Sequence, residues 1–333
     1  MSSILNAKIA PKENISNPDT FFDNNYFLSG GTNLIGKKQD KVFVGTNELF
    51  KWIVVLDGHG KGKVVEKLGK IDWNSLLYNF NDPKKLMNQI NLYLCYENDG
   101  SLQKNIGDGT TCSIVKIYKD KIIIHWIGDS DVGVKINQDI YFMDIHNKFN
   151  NYELERLADE NISSLPSWTP RVLDGEYNIT MIPGRYFDHP YRYPLDKSDK
   201  YYVEESMRYK KRDRLSMTRA LGHNDGLTFA TLQKFDTKKF DIISTDKISI
   251  IAATDGLWDV LNETNKNALF EQALNHYEYN KNPVHQLLQK AEFLWNVDWN
   301  YYSPKELNKP PDDPVKQKMF SCDDIAIAIY LKF

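Results

Sequence analysis

Four apolar runs in this chain end or begin in aspartate: Asp57 follows "WIVVL", Asp129 follows "IIIHWIG", Asp255 follows "ISIIAAT", and Asp323 and Asp324 precede "IAIAIYL". Runs of this kind are buried strands, and strand ends in a layered sheet can converge on one edge. Converging carboxylates repel each other, by about 4 kcal/mol per pair at 4 Å and an effective dielectric of 20. The arrangement persists if a cation sits among them. All-oxygen ligands favour Mg²⁺ or Mn²⁺ over zinc or copper. For any one aspartate taken alone, a turn or a helix cap is the competing reading. Asp-Gly also recurs at 99–100, 108–109, 174–175 and 225–226, where a turn suffices.

The stretch "VVLDGHGKG", residues 54 to 62, sharpens the question. Asp-Gly after apolar residues is a hairpin signal. Gly58, without a side chain, also lets its carbonyl approach a ligand closely. His59 would then be a titratable group beside a metal cluster, suited to general acid catalysis. Alternatively it is a turn residue. His125, inside "IIIHWI", reads as a packed core histidine, and the remaining histidines form no metal spacing.

The elements that must hold these residues are readable in part. Residues 1 to 25 are polar and read as a peripheral arm. Helical spacing covers 63–70, 84–97, 150–161, 264–276 and 283–295. Between 111 and 143, "TCSIVKIY", "KIIIHWI", "VGVKI" and "IYFM" are β-type runs joined by linkers too short for parallel crossovers, so they form an antiparallel meander. From about 161 to 212 periodicity fades, and the segment reads as irregular. In the last strand Ile325, Ile327, Ile329 and Leu331 alternate with Ala326, Ala328 and Tyr330, so both faces must be covered. Doubly covered antiparallel sheets with helices elsewhere predict an α+β layered fold.

Bulk properties exclude several classes. The net charge of −3 provides no basic field for nucleic acid. No run approaches the roughly 18 apolar residues of a membrane span, and the N-terminus lacks a signal-peptide core. Cys95, Cys112 and Cys322 have neither zinc nor disulfide spacing. A reducing compartment is expected, cytoplasmic or nuclear.

Taken in order, the motifs resemble the metal-dependent serine/threonine protein phosphatases of type 2C. The resemblance rests on "VVLDGHGKG", "GDGTTCSIV", "WIGDSDVGV", "DIHNKFNNYELERL", "LSMTRALG", "IIAATDGLWDVL" and "CDDIAIAIYL", and runs from about residue 30 to 333. It implies a four-layer α-β-β-α sandwich: two stacked antiparallel sheets flanked by helices. It implies a single domain over 26–333, with a variable flap around 161–212. It also implies two Mg²⁺ or Mn²⁺ ions and a weaker third. Asp57 would bridge the pair and the Gly58 carbonyl would bind the second. Asp255 and Asp323 would bind the first, Asp129 with Asp255 the third, and Asp40 would hold a metal-bound water. A bridging hydroxide would attack phosphorus in line while His59 protonates the departing serine or threonine oxygen. Phosphorylated protein is the implied partner and a monomer the implied state, with no nucleic acid or membrane.

The chain departs from the family pattern at several positions. Ile35 stands where many members carry a phosphate-gripping Arg, leaving Lys37 or Lys38 as point charges for that task or as solvated loop lysines. Gln39, Lys61, Asp131, His223 and Asp324 replace the usual Glu, Gly, Arg, Asp and Asn. Arg219 reads as a structural pairing residue. The basic run 208–214 reads as a substrate surface or a solvated flap. The alternatives to an active phosphatase are a regulatory pseudophosphatase that binds a partner, and a two-metal nuclease or other phosphoesterase.

Overall fold

The structure is a computed structural model and describes residues 20–23, 25–95, 108–147, 150–159, 164–172, 178–187, 217–222, 233–302, 315–317 and 323–333. Strands β1 (Thr20–Asp23), β2 (Tyr26–Asn33), β3 (Lys41–Thr46) and β4 (Lys51–Leu56) come first, then the two-residue β5 (Gly58–His59). Helices α1 (Lys63–Leu68), α2 (Trp73–Asn79) and α3 (Pro83–Cys95) follow. Next are β6 (Gly109–Thr110), β7 (Cys112–Ile117), β8 (Lys121–Ile127), β9 (Asp131–Ile136) and β10 (Asp139–Tyr141). After α4 (Asn151–Asp159) come β11 (Ser164–Val172), β12 (Asn178–Phe187), β13 (Leu221–Gly222), β14 (Asp236–Asp241) and β15 (Ile248–Ala253). The chain closes with α5 (Asp255–Trp258), α6 (Glu263–Glu278), α7 (Pro283–Asn296), β16 (Trp299–Tyr302), β17 (Val315–Gln317) and β18 (Ile325–Lys332).

Two large sheets carry the fold, in the orders β1-β2-β18-β15-β9-β10 and β14-β8-β7-β4-β3. Every pairing within them is antiparallel. One apolar cluster joins Ile53, Val115 and Ile124 of the five-stranded sheet to Val132, Ile250 and Ala328 of the six-stranded one, so the sheets pack face to face. A second cluster sets Ile325, Ile327 and Ile329 against Leu269 and Leu287 of α6 and α7. A third sets Val54, Leu56 and Ile114 against Leu68, Leu77 and Ile90 of α1 to α3. The result is four layers, α-β-β-α. The alternation of β18 follows from its place in the stack: isoleucines face the helices, and Ala326, Ala328 and Tyr330 face the other sheet. Each fully buried isoleucine contributes about 1.5–3 kcal/mol.

The structure corrects the sequence reading in four places. The meander is not one sheet: β8 lies in the five-stranded sheet and β9 in the six-stranded one, so the turn between them crosses layers. Gly128, at φ 97, makes that crossing, since a side chain there would stand 2.5 Å from Thr111 Cγ2. Within the stretch expected to be a peripheral arm, residues 20–23 form β1, which pairs with β2 as an edge strand, and residues 1–19 lie outside the described residues. The segment expected to be irregular contains a regular antiparallel hairpin, β11 with β12, whose second strand pairs with β16. Strands β2, β3 and β14 and the short helices α2 and α5 complete elements that periodicity did not resolve. Among the described residues no helix is long and apolar enough to cross a membrane.

Candidate metal centre

Register brings the aspartates to one end of the sandwich. In the five-stranded sheet Lys41 pairs with Leu56, which sets Asp40 and Asp57 side by side. In the other sheet Ala253 pairs with both Ile327 and Asp131, which brings the starts of β9 and β18 to the end of β15. Asp129, Asp255 and Asp323 therefore share that edge.

Local contacts hold the corner after β4. The Asp57 N–H donates to Thr111 Oγ1 at 3.1 Å, and its carbonyl accepts from Thr111 N at 2.9 Å and from Thr110 Oγ1 at 2.7 Å. The Thr111 and Ser130 hydroxyls lie 2.6 Å apart, and Ser113 Oγ donates to the Ser130 carbonyl at 2.9 Å. The Gly-Asp-Ser turn carrying Asp129 is thereby tied to the Asp57 corner. Asp108 closes the next loop by accepting from Lys61 N at 3.0 Å and Lys63 N at 3.3 Å. Gly58 permits close packing: a side chain there would start 2.8 Å from the Gln39 carbonyl.

On the opposite sheet, Thr254 Oγ1 accepts from Ala326 N at 3.0 Å, which ties the end of β15 to the start of β18. A Cβ on Gly256 would stand 1.9 Å from the Asp324 carbonyl, so only glycine lets α5 close on β18 and set Asp255 beside Asp323.

Ligand atoms of Asp57, His59 and Asp129 lie within 4.8 Å of one another, a grouping that can hold a metal ion. The half-buried His59 thus stands among the carboxylates rather than apart from them. Asp255 lies close enough to Asp57 that the two carboxyls act on each other's titration. Burial, then the like charges of Asp40, Asp129 and Asp323, pushes Asp57 well above the usual carboxylate range. Asp255 is raised by burial and then by Asp57 and Asp323. Burial, with Asp323 and Asp324 adding to it, pushes Asp40 up to about 7. Asp323 is raised by burial, and the charge of Lys37 opposes the rise. Asp40 Oδ2 and Asp255 Oδ1 are buried and take no hydrogen bond among the described residues. Crowded carboxylates with unfilled oxygens fit hard divalent cations.

A family model described as Protein phosphatase 2C matches residues 27–291. The chain belongs to the protein phosphatase 2C family. Among solved structures, the serine-threonine phosphatase 2C of Toxoplasma gondii gives a TM-score of 0.57 at 15% identity, over 96% of this chain and 98% of that one. A sex-determining protein of C. elegans gives 0.51 at 16% identity, over 92% of this chain and 65% of that one. At such identities the likeness shows the fold. A comparison with curated proteins returns no match.

As a protein phosphatase 2C, the chain is a protein serine/threonine phosphatase by class. Its departures from the family pattern have visible places in the fold. Ile35 packs against the apolar cluster under α7. Asp131 turns inward, its carboxylate accepting from Val132 N at 2.7 Å and Met143 N at 3.1 Å. Gln39 donates to the Gly60 carbonyl at 2.9 Å. Lys37 and Lys38 are exposed on the loop before Asp40. Arg219 pairs inside the fold, donating from Nε to Glu153 at 2.9 Å and from Nη1 to Asp236 at 2.9 Å. His146 also bonds Asp236, at 3.0 Å, and this bond with Arg219 behind it draws Asp236 down to about 2. His125 is buried, as its run implied, and bonds Thr237 at 2.8 Å. His223, Cys322 and the basic run 208–214 lie outside the described residues. The loop-clamping roles of Asp108 and Asp324 were missed, since Asp108 read as one turn among several and Asp324 as a strand-end acid and a replaced Asn.

Proposed function

We propose that the protein hydrolyses phosphoserine and phosphothreonine in phosphorylated proteins, dependent on Mg²⁺ or Mn²⁺. The observation that carries the reading is the convergence of Asp57, Asp129, Asp255, Asp323 and Asp40, four of them pushed toward protonation, first by burial. With the Gly58 carbonyl, these carboxylates would hold two cations and a weaker third. When bound, the cations supply an acidified water and charge neutralisation for the phosphate oxygens.

The chain's own groups do the remainder. His59, grouped with Asp57 and Asp129, would donate a proton to the departing serine or threonine oxygen, which leaves as a neutral alcohol. Lys37 and Lys38 offer positive charge for the phosphate in place of the absent Arg. Asp57 is fixed by Thr110 and Thr111, which limits the reorganisation that would otherwise raise the barrier.

A second reading follows from Ile35: it stands in sequence where the family pattern has Arg and packs against the apolar cluster under α7, as would suit a pseudophosphatase that binds a partner without turnover. Phosphate release from phosphothreonine peptide with Mn²⁺, compared with EDTA, separates the two. Metal-dependent release supports the enzyme. Absence of release from folded, metal-loaded protein across several peptides supports the binding protein.

A further inference from the structure

Asp324 is 1% exposed and commits both carboxylate oxygens to one loop. Oδ1 accepts the Gly36 N–H at 2.7 Å, and Oδ2 accepts the Gln39 N–H at 2.6 Å. The carboxylate thus closes residues 36 to 39 into a tight turn with Lys37 and Lys38 at its apex. Lys38 takes φ 63, a left-handed conformation that L-residues rarely adopt, and the two anchors hold it there. The far end of the turn is fixed as well. Gln39 donates to Gly60 O and packs against Gly58, so the turn cannot slide without moving the corner that carries Asp57. At the near end, Gly36 is bonded to the residue that follows Asp323, which brings its neighbour Lys37 to the aspartate edge.

We propose that Asp324 is a positioning residue: by clamping Gly36 and Gln39 it holds the turn between them at the aspartate edge and presents Lys37 as the cation that grips the substrate's phosphate. The inference rests on the phosphatase reading and narrows its two lysines to one. The carboxylate is specific for the task. An asparagine offers one oxygen and would turn its amide toward the other N–H, releasing one end of the loop.

The test uses the whole protein loaded with Mn²⁺. In Asp324→Asn the KM for a phosphothreonine peptide rises about tenfold, the scale of one lost charge-assisted hydrogen bond, while kcat changes by less than about twofold. Lys37→Met gives a similar rise, and the double variant is no worse than the worse single one, because both act through one contact. The dissociation constant of inorganic phosphate, measured by calorimetry with Mn²⁺, shifts in parallel and does not depend on turnover. Lys37 is exposed, so its variant tests the proposal even if Asp324→Asn fails to fold. Unchanged KM and phosphate affinity in Lys37→Met overturn the proposal and leave the phosphatase reading intact. A fall in kcat alone in Asp324→Asn assigns a structural role and also overturns it. Wild-type protein that binds phosphate through Lys37 yet hydrolyses no phosphopeptide contradicts the phosphatase reading and retains this one.

Discussion

Asp57 and Thr111 are joined twice: the Asp57 N–H donates to Thr111 Oγ1 at 3.1 Å, and the Asp57 carbonyl accepts the Thr111 N–H at 2.9 Å. The second bond is backbone and survives substitution; the first needs the hydroxyl. Thr111→Val keeps the shape and leaves the Asp57 N–H buried without that acceptor. The expected cost is about 1–3 kcal/mol by urea denaturation, with weaker Mn²⁺ binding because the Asp57 corner loosens. Stability and Mn²⁺ affinity both equal to wild type would refute this role for the hydroxyl.

Gly256 sets how closely α5 approaches β18. In Gly256→Ala the new methyl would fall 1.9 Å from the backbone oxygen of Asp324, and a backbone atom cannot rotate away. The helix must shift, carrying Asp255 from Asp323. Lower thermal stability and a Mn²⁺ affinity reduced about tenfold or more are expected by thermal melt and metal titration. Wild-type metal affinity in the folded variant would show that the shift does not reach Asp255.

Arg219 neutralises a carboxylate shut off from solvent. Glu153 is fully buried, accepting from Arg219, from Arg156 Nη2 at 3.0 Å and from Thr218 Oγ1 at 2.6 Å. Arg219→Met leaves Glu153 short of its buried partner, at a cost of about 3–5 kcal/mol. Adding Glu153→Gln removes the stranded charge and recovers part of that loss. A double variant as unstable as the sum of the singles would mean that the pair does not act as a pair.

Lys116 gives a pH dependence away from the metal centre. It rises from β7 under α2, donating from Nζ to the Leu77 carbonyl at 2.7 Å and the Phe80 carbonyl at 3.1 Å. Burial pushes its ammonium down to about 8. The unfolded chain titrates at the ordinary value of 10.5, so between about 8 and 10.5 it binds more protons than the folded state. Stability from this group therefore grows as pH rises through that window, by up to about 3 kcal/mol, and is lost as pH falls back through 8. Urea midpoints at pH 8 and pH 10 should show the gain in wild type and its loss in Lys116→Met. The same rise in both proteins would assign it to another group.

The legible parts of this molecule are those with a local signature. The alternation from Ile325 to Leu331 announces a strand covered on both faces, because a side chain's face depends only on its own position in the strand. Asp57, Asp129 and Asp255 stand out because each interrupts an apolar run where the chain leaves the sheet. Strand β14 hides because its edge position lets exposed and half-buried residues alternate through "DTKKFD" without a clear apolar face. The layer crossing at Gly128 hides because a two-sheet turn and a hairpin turn have the same length. The clamp from Asp324 to Gly36 joins residues 288 positions apart, so no window of sequence contains it.

The account stands on the aspartate cluster as a working metal centre. The most direct measurement is phosphate release from a phosphothreonine peptide with Mn²⁺, with EDTA added, and with Asp57→Ala. The account predicts release with the metal, loss with the chelator, and loss in a variant that still folds. Release that persists in EDTA or in Asp57→Ala, or no release from folded metal-loaded protein across several phosphopeptides, would contradict it.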